Sequence, residues 1–218
     1  MALALRKIIA RDDNLFESES NVDVILDASH PDYLEKTLKA AKDYQAPLVI
    51  ATTNYSKEQE AEILATSKEV AVIKASNFSL GVAVLTHLAK EASKYLKDDF
   101  DIEIVEHHHN QKIDIPSGTA LSLFDSLNEN NNFKLVTNRQ GKRAKDEIGI
   151  SSLRGGSVNG YHSVYFFGQQ ETLEINHQAL SREIFASGML KCAKLIVNCP
   201  PKYYTINELL FKETEDEC

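Results

Sequence analysis

The chain has 218 residues, 43% of them hydrophobic and 26% charged, and 24 basic against 32 acidic side chains give a net charge of −8. These values fit one large or two small globular domains and exclude disordered and fibrous classes. The acidic balance argues against a nucleic-acid protein, and no apolar run approaches the ~18–20 residues that cross a bilayer. MALALRKII carries its charges behind its apolar residues and has no small-residue cleavage site, so it is a poor signal peptide. Val22 to Asp27 (VDVILD) then reads as a short buried strand, and Leu34, Leu38 and Ala41 stripe a helix that ends before Pro47. Leu48 to Thr53 (LVIATT) is a second strand, Ser56 with Gln59 a capping box opening a helix, and Val70 to Ala75 (VAVIKA) a third strand. Strand and helix alternating over such short connections predict parallel strands with right-handed crossovers, as in a doubly wound sheet.

A long helix follows, with Leu80, Val84, Leu88, Ala92 and Leu96 repeating every four residues. Asp101 to Glu106 (DIEIVE) alternates as a half-buried strand, and Ala120, Leu123, Phe124 and Leu127 stripe a helix closed by NENNN. FKLVTN, IGISSL, YHSVYFF and ETLEIN are strand-like with glycine-containing turns, which predicts an antiparallel or mixed sheet. A last helix spans about Ser181 to Val197, with Ile184, Phe185, Gly188, Met189 and Cys192 on one side. The tail KETEDEC reads as a solvated acidic end. Cys192, Cys199 and Cys218 fit no zinc spacing and suit a reducing cytosol, with Cys192 a small buried hydrophobe. The expected fold class is α/β: an incomplete Rossmann-like parallel sheet plus an α+β unit with a mixed sheet. The expected division is 1–79 with 189–218 for the dinucleotide-binding-like unit and 80–188 for the substrate and oligomerisation unit.

The densest chemistry lies in Glu106-His107-His108-His109-Asn110-Gln111-Lys112-Ile113-Asp114-Ile115-Pro116-Ser117-Gly118-Thr119, where a strand gives way to a helix. A solvated loop with a chance histidine run is one reading. A metal site is another, but adjacent histidines on an extended chain point apart and no carboxylate or cysteine completes a shell, so no metal is expected. The functional reading starts at Pro116, after which Ser117-Gly118-Thr119 offer hydroxyls and backbone N–H groups at a helix N-terminus, an anion site. An imidazole at His108 and an ammonium at Lys112 upstream of that turn suit proton donation to a substrate carrying carboxylates.

The run EHHHNQKIDIPSGTAL resembles the signature of the dihydrodipicolinate reductase (4-hydroxy-tetrahydrodipicolinate reductase) family, E-x-H-H-x-x-K-x-D-x-P-S-G-T-A, without a gap. VDVILDASHP, LVIATT, ASNFSLGV, SSLRGGSVNGYHSVYF, ETLEINHQALSREIFASGMLKCA and INELL are similar to the same family, so the likeness extends from about Val22 onward. The resemblance implies His108 as proton donor with Lys112 as its partner. It implies His109, Lys112, Ser117, Gly118 and Thr119 as holders of the substrate carboxylates. Ala51, Thr52 and Thr53 match a nicotinamide-side loop, Ala75, Ser76, Asn77 and Phe78 a second cofactor segment, and Arg11 a residue favouring a 2′-phosphate. The implied reaction is hydride transfer from NADH or NADPH to a cyclic imine dicarboxylate in the diaminopimelate route to lysine, in a cytoplasmic homotetramer assembled through the second sheet. No nucleic-acid or membrane partner is expected.

The departures from the family pattern concern the cofactor. The first of the nine glycines is Gly81, so the glycine-rich G-x-x-G-R-M-G loop that cradles the pyrophosphate is missing from the sequence. Each charge-assisted hydrogen bond lost with it is worth ~1.5–3 kcal/mol. The chain is therefore expected to begin beyond that unit, leaving a strand edge exposed. The alternative reading is a non-catalytic, decayed reductase that keeps the dicarboxylate pocket and binds cofactor poorly. Ala51 and Asn54 replace the glycines of the family's G-T-T-G, and Ala28 replaces an aromatic residue. Asn is among the better non-glycine residues at positive φ. Arg154, His162, Glu171, His177 and Arg182 match family positions and are read as sheet or interface pairs, and Phe166 and Phe167 as core and interface.

Overall fold

The computed structural model describes residues 1–9 and 21–211. Arg11 and the tail from residue 212 lie outside the described residues. In chain order the elements are α1 (Ala2–Ile9), β1 (Ile25–Asp27), a 3-10 turn (Pro31–Tyr33), α2 (Leu34–Tyr44), β2 (Leu48–Ile50), α3 (Lys57–Thr66) and β3 (Val72–Lys74). Then come α4 (Leu80–Leu96), β4 (Asp101–His108), α5 (Gly118–Leu127), β5 (Lys134–Thr137), β6 (Glu147–Arg154), β7 (Tyr161–Phe167) and β8 (Thr172–Gln178). The described residues end with α6 (Glu183–Ile196), β9 (Tyr203–Tyr204) and α7 (Ile206–Leu210). The chain divides into two compact units, Met1–Leu80 with the segment from Arg182 onward, and Gly81–Ser181.

The first unit is a parallel sheet in the order β1-β2-β3-β9. Alternate residues of its apolar strands serve opposite faces. Val49 and Ile73 pack with Met189, Ala193 and Ile196 of α6 and Leu5 of α1, while Leu48, Ile50 and Val72 pack with Leu34 and Leu38 of α2 and Ile63 of α3. Each fully buried aliphatic side chain there contributes roughly 1.5–3 kcal/mol. The capping box at α3 forms as the sequence predicts, Ser56 Oγ accepting from Gln59 N and Gln59 Oε1 accepting from Ser56 N. The strands are shorter than their apolar runs: β1 begins at Ile25 rather than Val22, and β2 stops at Ile50. Beyond the ladder the chain stays extended through single bonds, Ala51 N to the Asp27 carbonyl and Ala75 N to the Ile50 carbonyl. Among the described residues β1 pairs only with β2. A groove of about 890 Å³ runs beside it, lined in part by Leu5, Ile9, Val24, Leu26, Leu190 and Val197.

The second unit is a five-stranded mixed sheet, β5-β6-β4-β7-β8, parallel from β5 through β4 and antiparallel from β4 through β8. Ile102 and Ile104 of β4, Ile148 and Ile150 of β6, and Val164 and Phe166 of β7 join Leu123 and Phe124 of α5 and Leu85 of α4 in one core. The four-residue repeat expected along α4 does not mark its buried face, since Val84 is 41% and Leu88 47% exposed while Val82, Leu85 and Ala89 are buried. Four residues advance about 40° beyond one turn, so a strict fourth-residue series winds off any single face. On the sheet face away from this core, Arg139 bonds Glu103 (2.5 Å) and Glu147 (2.6 Å), and Arg143 bonds Asp101 (2.7 Å) and Glu103 (3.2 Å). Tyr165 and Phe167 stack there at 5.3 Å, beside the site strands but on their opposite side.

Candidate active site

The alternation of β4 builds the site. Ile102, Ile104, Glu106 and His108 are buried in succession, so the apolar inner row of the strand ends in a carboxylate and an imidazole. His107 faces the other way and stacks on Tyr161, ring centroids 4.8 Å apart. Parallel pairing sets His108 beside Arg154 of β6, and antiparallel pairing sets Glu106 beside His162 of β7. Three strands therefore deliver Glu106, His108, Arg154 and His162 to one end of the second unit's core.

Glu106 is fully buried and fully engaged. Its Oε2 accepts from Arg154 Nη1 (2.9 Å) and pairs with His108 Nδ1. Its Oε1 accepts from Arg154 Nη2 (2.8 Å) and from the Ser117 backbone N–H (3.2 Å). Burial alone would raise its pKa, but hydrogen bonds from His108 and Arg154 outweigh burial and hold the carboxyl well below the usual carboxylate range. Arg154 Nη2 also donates to the Asp114 carbonyl (2.7 Å), tying the β4–α5 connection to the same guanidinium. Ser117 is the N-cap of α5, its Oγ accepting from Ala120 N (3.2 Å) and lying 3.2 Å from His162 Nε2. Burial, reinforced by the neighbouring His108, pushes the His162 imidazole down to about 3, so it is neutral at pH 7. The donor atoms of Glu106, His108 and His162 lie within 4.8 Å of one another, a spacing that a cation shell would have. Here Arg154 already supplies the positive charge and takes a bond at each carboxylate oxygen.

The other expected substrate residues follow in the β4–α5 connection and the first turn of α5. His109 is half-buried just after β4, and Thr119 is half-buried in the first turn of α5. Gly118 is exposed at the start of α5, with open space where a side chain would stand. Lys112 is half-buried in the connection, where its Nζ pairs with Asp114 Oδ1 at 2.8 Å. The helix N-terminus, the ammonium and the His108 cluster thus all belong to the β4–α5 junction. Glu106, Asp114, Arg154 and His162 were not among the expected site residues. The signal for Glu106 was available, because the DIEIVE alternation puts it on the buried row with Ile102 and Ile104, where a carboxylate requires a cationic partner.

The expected cofactor residues lie in the first unit. Thr52 is buried and spends its hydroxyl locally, donating to Asp27 Oδ1 and accepting from Ser29 N, both at 2.9 Å. Asp27 also accepts from Tyr55 OH at 3.0 Å, and burial with this carboxylate raises the Tyr55 phenol. Ala51 is half-buried and Thr53 exposed, while Asn54 has φ 65°, the left-handed conformation its replacement of glycine predicts. A groove of about 710 Å³ lies over the ends of β1 and β2, lined by Ser29, His30, Ala51, Thr53, Asn54 and Ser56 among others. After β3, Ala75 and Asn77 are half-buried, Ser76 is exposed, and Phe78 is fully buried in the core, where only its backbone could meet a ligand.

Two units, one a parallel sheet with an open groove at its strand ends and the other a buried imidazole–carboxylate–guanidinium cluster at a helix N-terminus, have the layout of an α/β enzyme. Comparison with known proteins gives the family. The N-terminal model of dihydrodipicolinate reductase matches residues 4–78 and the C-terminal model residues 81–210. The chain is 43% identical to the 4-hydroxy-tetrahydrodipicolinate reductase of Clostridium novyi, over 91% of this chain and 80% of that one. It is 38% identical to the Brachyspira hyodysenteriae protein of the same name, over 96% of this chain and 95% of that one. Among solved structures, dipicolinate-bound dihydrodipicolinate reductase from Paenisporosarcina superposes with a TM-score of 0.76 at 19% identity, covering 95% of this chain and 94% of that one. The chain belongs to the dihydrodipicolinate reductase family, a family of oxidoreductases.

Proposed function

We propose that this protein reduces 4-hydroxy-tetrahydrodipicolinate, a cyclic imine dicarboxylate, to tetrahydrodipicolinate in the diaminopimelate route to lysine. The observation that carries the reading is the buried His108–Glu106–Arg154 cluster set against the N-terminus of α5, within a chain of this family. Glu106 occupies His108 Nδ1, which leaves Nε2 to give a proton to the reduced ring. The α5 N-terminus at Ser117, Gly118 and Thr119, with His109 and the Lys112 ammonium, holds the substrate carboxylates. Asp114 competes with a substrate carboxylate for the Lys112 ammonium.

A pyridine nucleotide, NADH or NADPH, supplies the hydride when bound. The residues at the ends of β1 and β2 fit its nicotinamide half: the groove of about 710 Å³ is open, and Ser29, Thr53 and Ser56 offer hydroxyls in its lining. Ala75, Ser76 and Asn77 are proposed to border it with their backbone. Ala51 and Asn54 stand where the family's loop carries glycines, and the sequence before Gly81 holds no glycine turn for the pyrophosphate. These residues favour the second reading, a homologue that retains the dicarboxylate pocket and binds cofactor weakly. The half-exposed Leu153 and Phe167, on the sheet face with the Tyr165–Phe167 stack, support assembly of four copies through that sheet.

Calorimetric titration with NADPH and NADH, with and without pyridine-2,6-dicarboxylate, tests the reading together with a reduction assay. Micromolar cofactor binding and turnover are expected. His108→Ala and Lys112→Ala should each lower turnover by more than ~100-fold. Dicarboxylate binding with no cofactor binding and no turnover would establish the second reading instead.

A further inference from the structure

We propose that Arg154 is a positioning residue that sets the proton-donating state of His108 and, through the same guanidinium, fixes the loop that carries Lys112. The inference rests on the reductase reading of the site. Arg154 stands on β6, in register with His108, and directs its hydrogen bonds to Glu106 and to backbone carbonyls. Its two terminal nitrogens divide four bonds. Two go to opposite oxygens of Glu106, one to the Leu153 carbonyl at 2.8 Å and one to the Asp114 carbonyl at 2.7 Å. A planar guanidinium can make this paired contact, whereas a lysine ammonium cannot reproduce its two parallel arms.

The consequence runs through a fully buried carboxylate. Glu106 faces Arg154 across the sheet, His108 along its own strand, His162 on β7 and the Ser117 N–H at α5, with the Lys112 ammonium and His177 on β8 as the further charged or titratable neighbours. With Arg154 present, its guanidinium offsets the Glu106 anion against which His108 Nδ1 sits. Removing the guanidinium leaves an unbalanced buried anion against His108 and favours the imidazolium. Removing the anion leaves an unbalanced cation and disfavours it. The two substitutions therefore act in opposite directions on the same proton. A role confined to packing would move both the same way or not at all.

The test compares Arg154→Gln, Arg154→Lys and Glu106→Gln with the wild-type full chain in two measurements. The first is the pH dependence of kcat/KM for the cyclic imine substrate. The second, independent of turnover, is the nitrogen-15 spectrum of the His108 imidazole followed against pH, which reports tautomer and protonation directly. Arg154→Gln should move the alkaline limb of kcat/KM and the His108 titration upward by about one pH unit, and Glu106→Gln should move both downward by a similar amount. Arg154→Lys should restore most of the titration but not kcat, leaving it at least ten-fold low because the Asp114 carbonyl is released. Calorimetric affinity for NADPH should change less than two-fold in all three variants. Shifts in the same direction, or an unmoved His108 titration in variants with wild-type melting curves, would overturn the inference. If the wild type turns over nothing, the reductase reading fails, and the His108 spectra still decide the role of Arg154. If either glutamine variant does not fold, Arg154→Lys and the surviving variant carry the comparison.

Discussion

Ser117 Oγ lies 3.2 Å from His162 Nε2, and both side chains are buried. The cap of α5 is therefore joined to a histidine that burial keeps neutral, with its folded pKa pushed down to about 3 against an unfolded value near 6.5. Above pH 6.5 neither state binds the proton and the pair is undisturbed. Between about 6.5 and 3 the unfolded chain takes up a proton that the folded protein refuses, so stability falls with acidification, at a limiting slope of ~1.4 kcal/mol per pH unit. His177, also lowered by burial, acts with the same sign, whereas the depressed Glu106 withdraws its contribution only below the ordinary carboxylate range. Urea midpoints at pH 7, 6 and 5 should decline in the wild type and decline less steeply in His162→Gln. Parallel declines would show that His162 is not the group responsible.

Lys112 and Asp114 make the second prediction. Their 2.8 Å pair occupies the ammonium that the substrate carboxylate is proposed to use, and Asp114 is more than half exposed. A pair of this kind is worth at most ~1 kcal/mol. Asp114→Asn should therefore tighten pyridine-2,6-dicarboxylate binding by about two- to five-fold in calorimetry, with little change in melting temperature. Weaker binding would mean that Asp114 presents the lysine to the ligand rather than competing for it.

The legible part of this protein is local. The alternation of residues 101 to 106, the Ser56–Gln59 box and the α5 stripe each depend on neighbours within one turn or one pleat, and the structure has all three. The partnership of Glu106 and Arg154 spans 48 residues and depends on β6 lying against β4, a strand order that no local pattern encodes. His162 reaches Ser117 for the same reason, from the opposite side of β4. Arg154 and His162 look like cross-strand pairs in the sequence; Arg154 bonds the site's carboxylate across β6 and β4, whereas His162 bonds the helix cap at Ser117. Thr52 is the converse case. Its proposed place in a cofactor loop comes from resemblance, while the bond that spends its hydroxyl on Asp27 needs the fold.

Asn54 holds φ 65° at the rim of the groove over β2. A side chain with a Cβ pays ~1–2 kcal/mol in that conformation, less for asparagine, and nothing for glycine. Asn54→Ala should cost about 1 kcal/mol in urea unfolding and weaken NADPH binding, while Asn54→Gly should leave stability within ~0.5 kcal/mol. Equal losses in both variants would assign Asn54 a side-chain role instead.

Gly160 stands at φ 153°, and a Cβ added there would lie 3.2 Å from His108 Nε2, the nitrogen proposed to give the proton. Two effects of Gly160→Ala must therefore be separated: backbone strain of ~1–3 kcal/mol, and a methyl group crowding the donor. Gly156 supplies the control, because it also has positive φ, 49°, but open space where its Cβ would be. Both alanine variants should lose stability in urea unfolding. Only Gly160→Ala should lose kcat, by at least about ten-fold on the scale of general-acid contributions, and only it should perturb the His108 imidazole signals. Loss of kcat in both variants would trace the effect to loop strain, and loss in neither would move the proton donor away from Nε2.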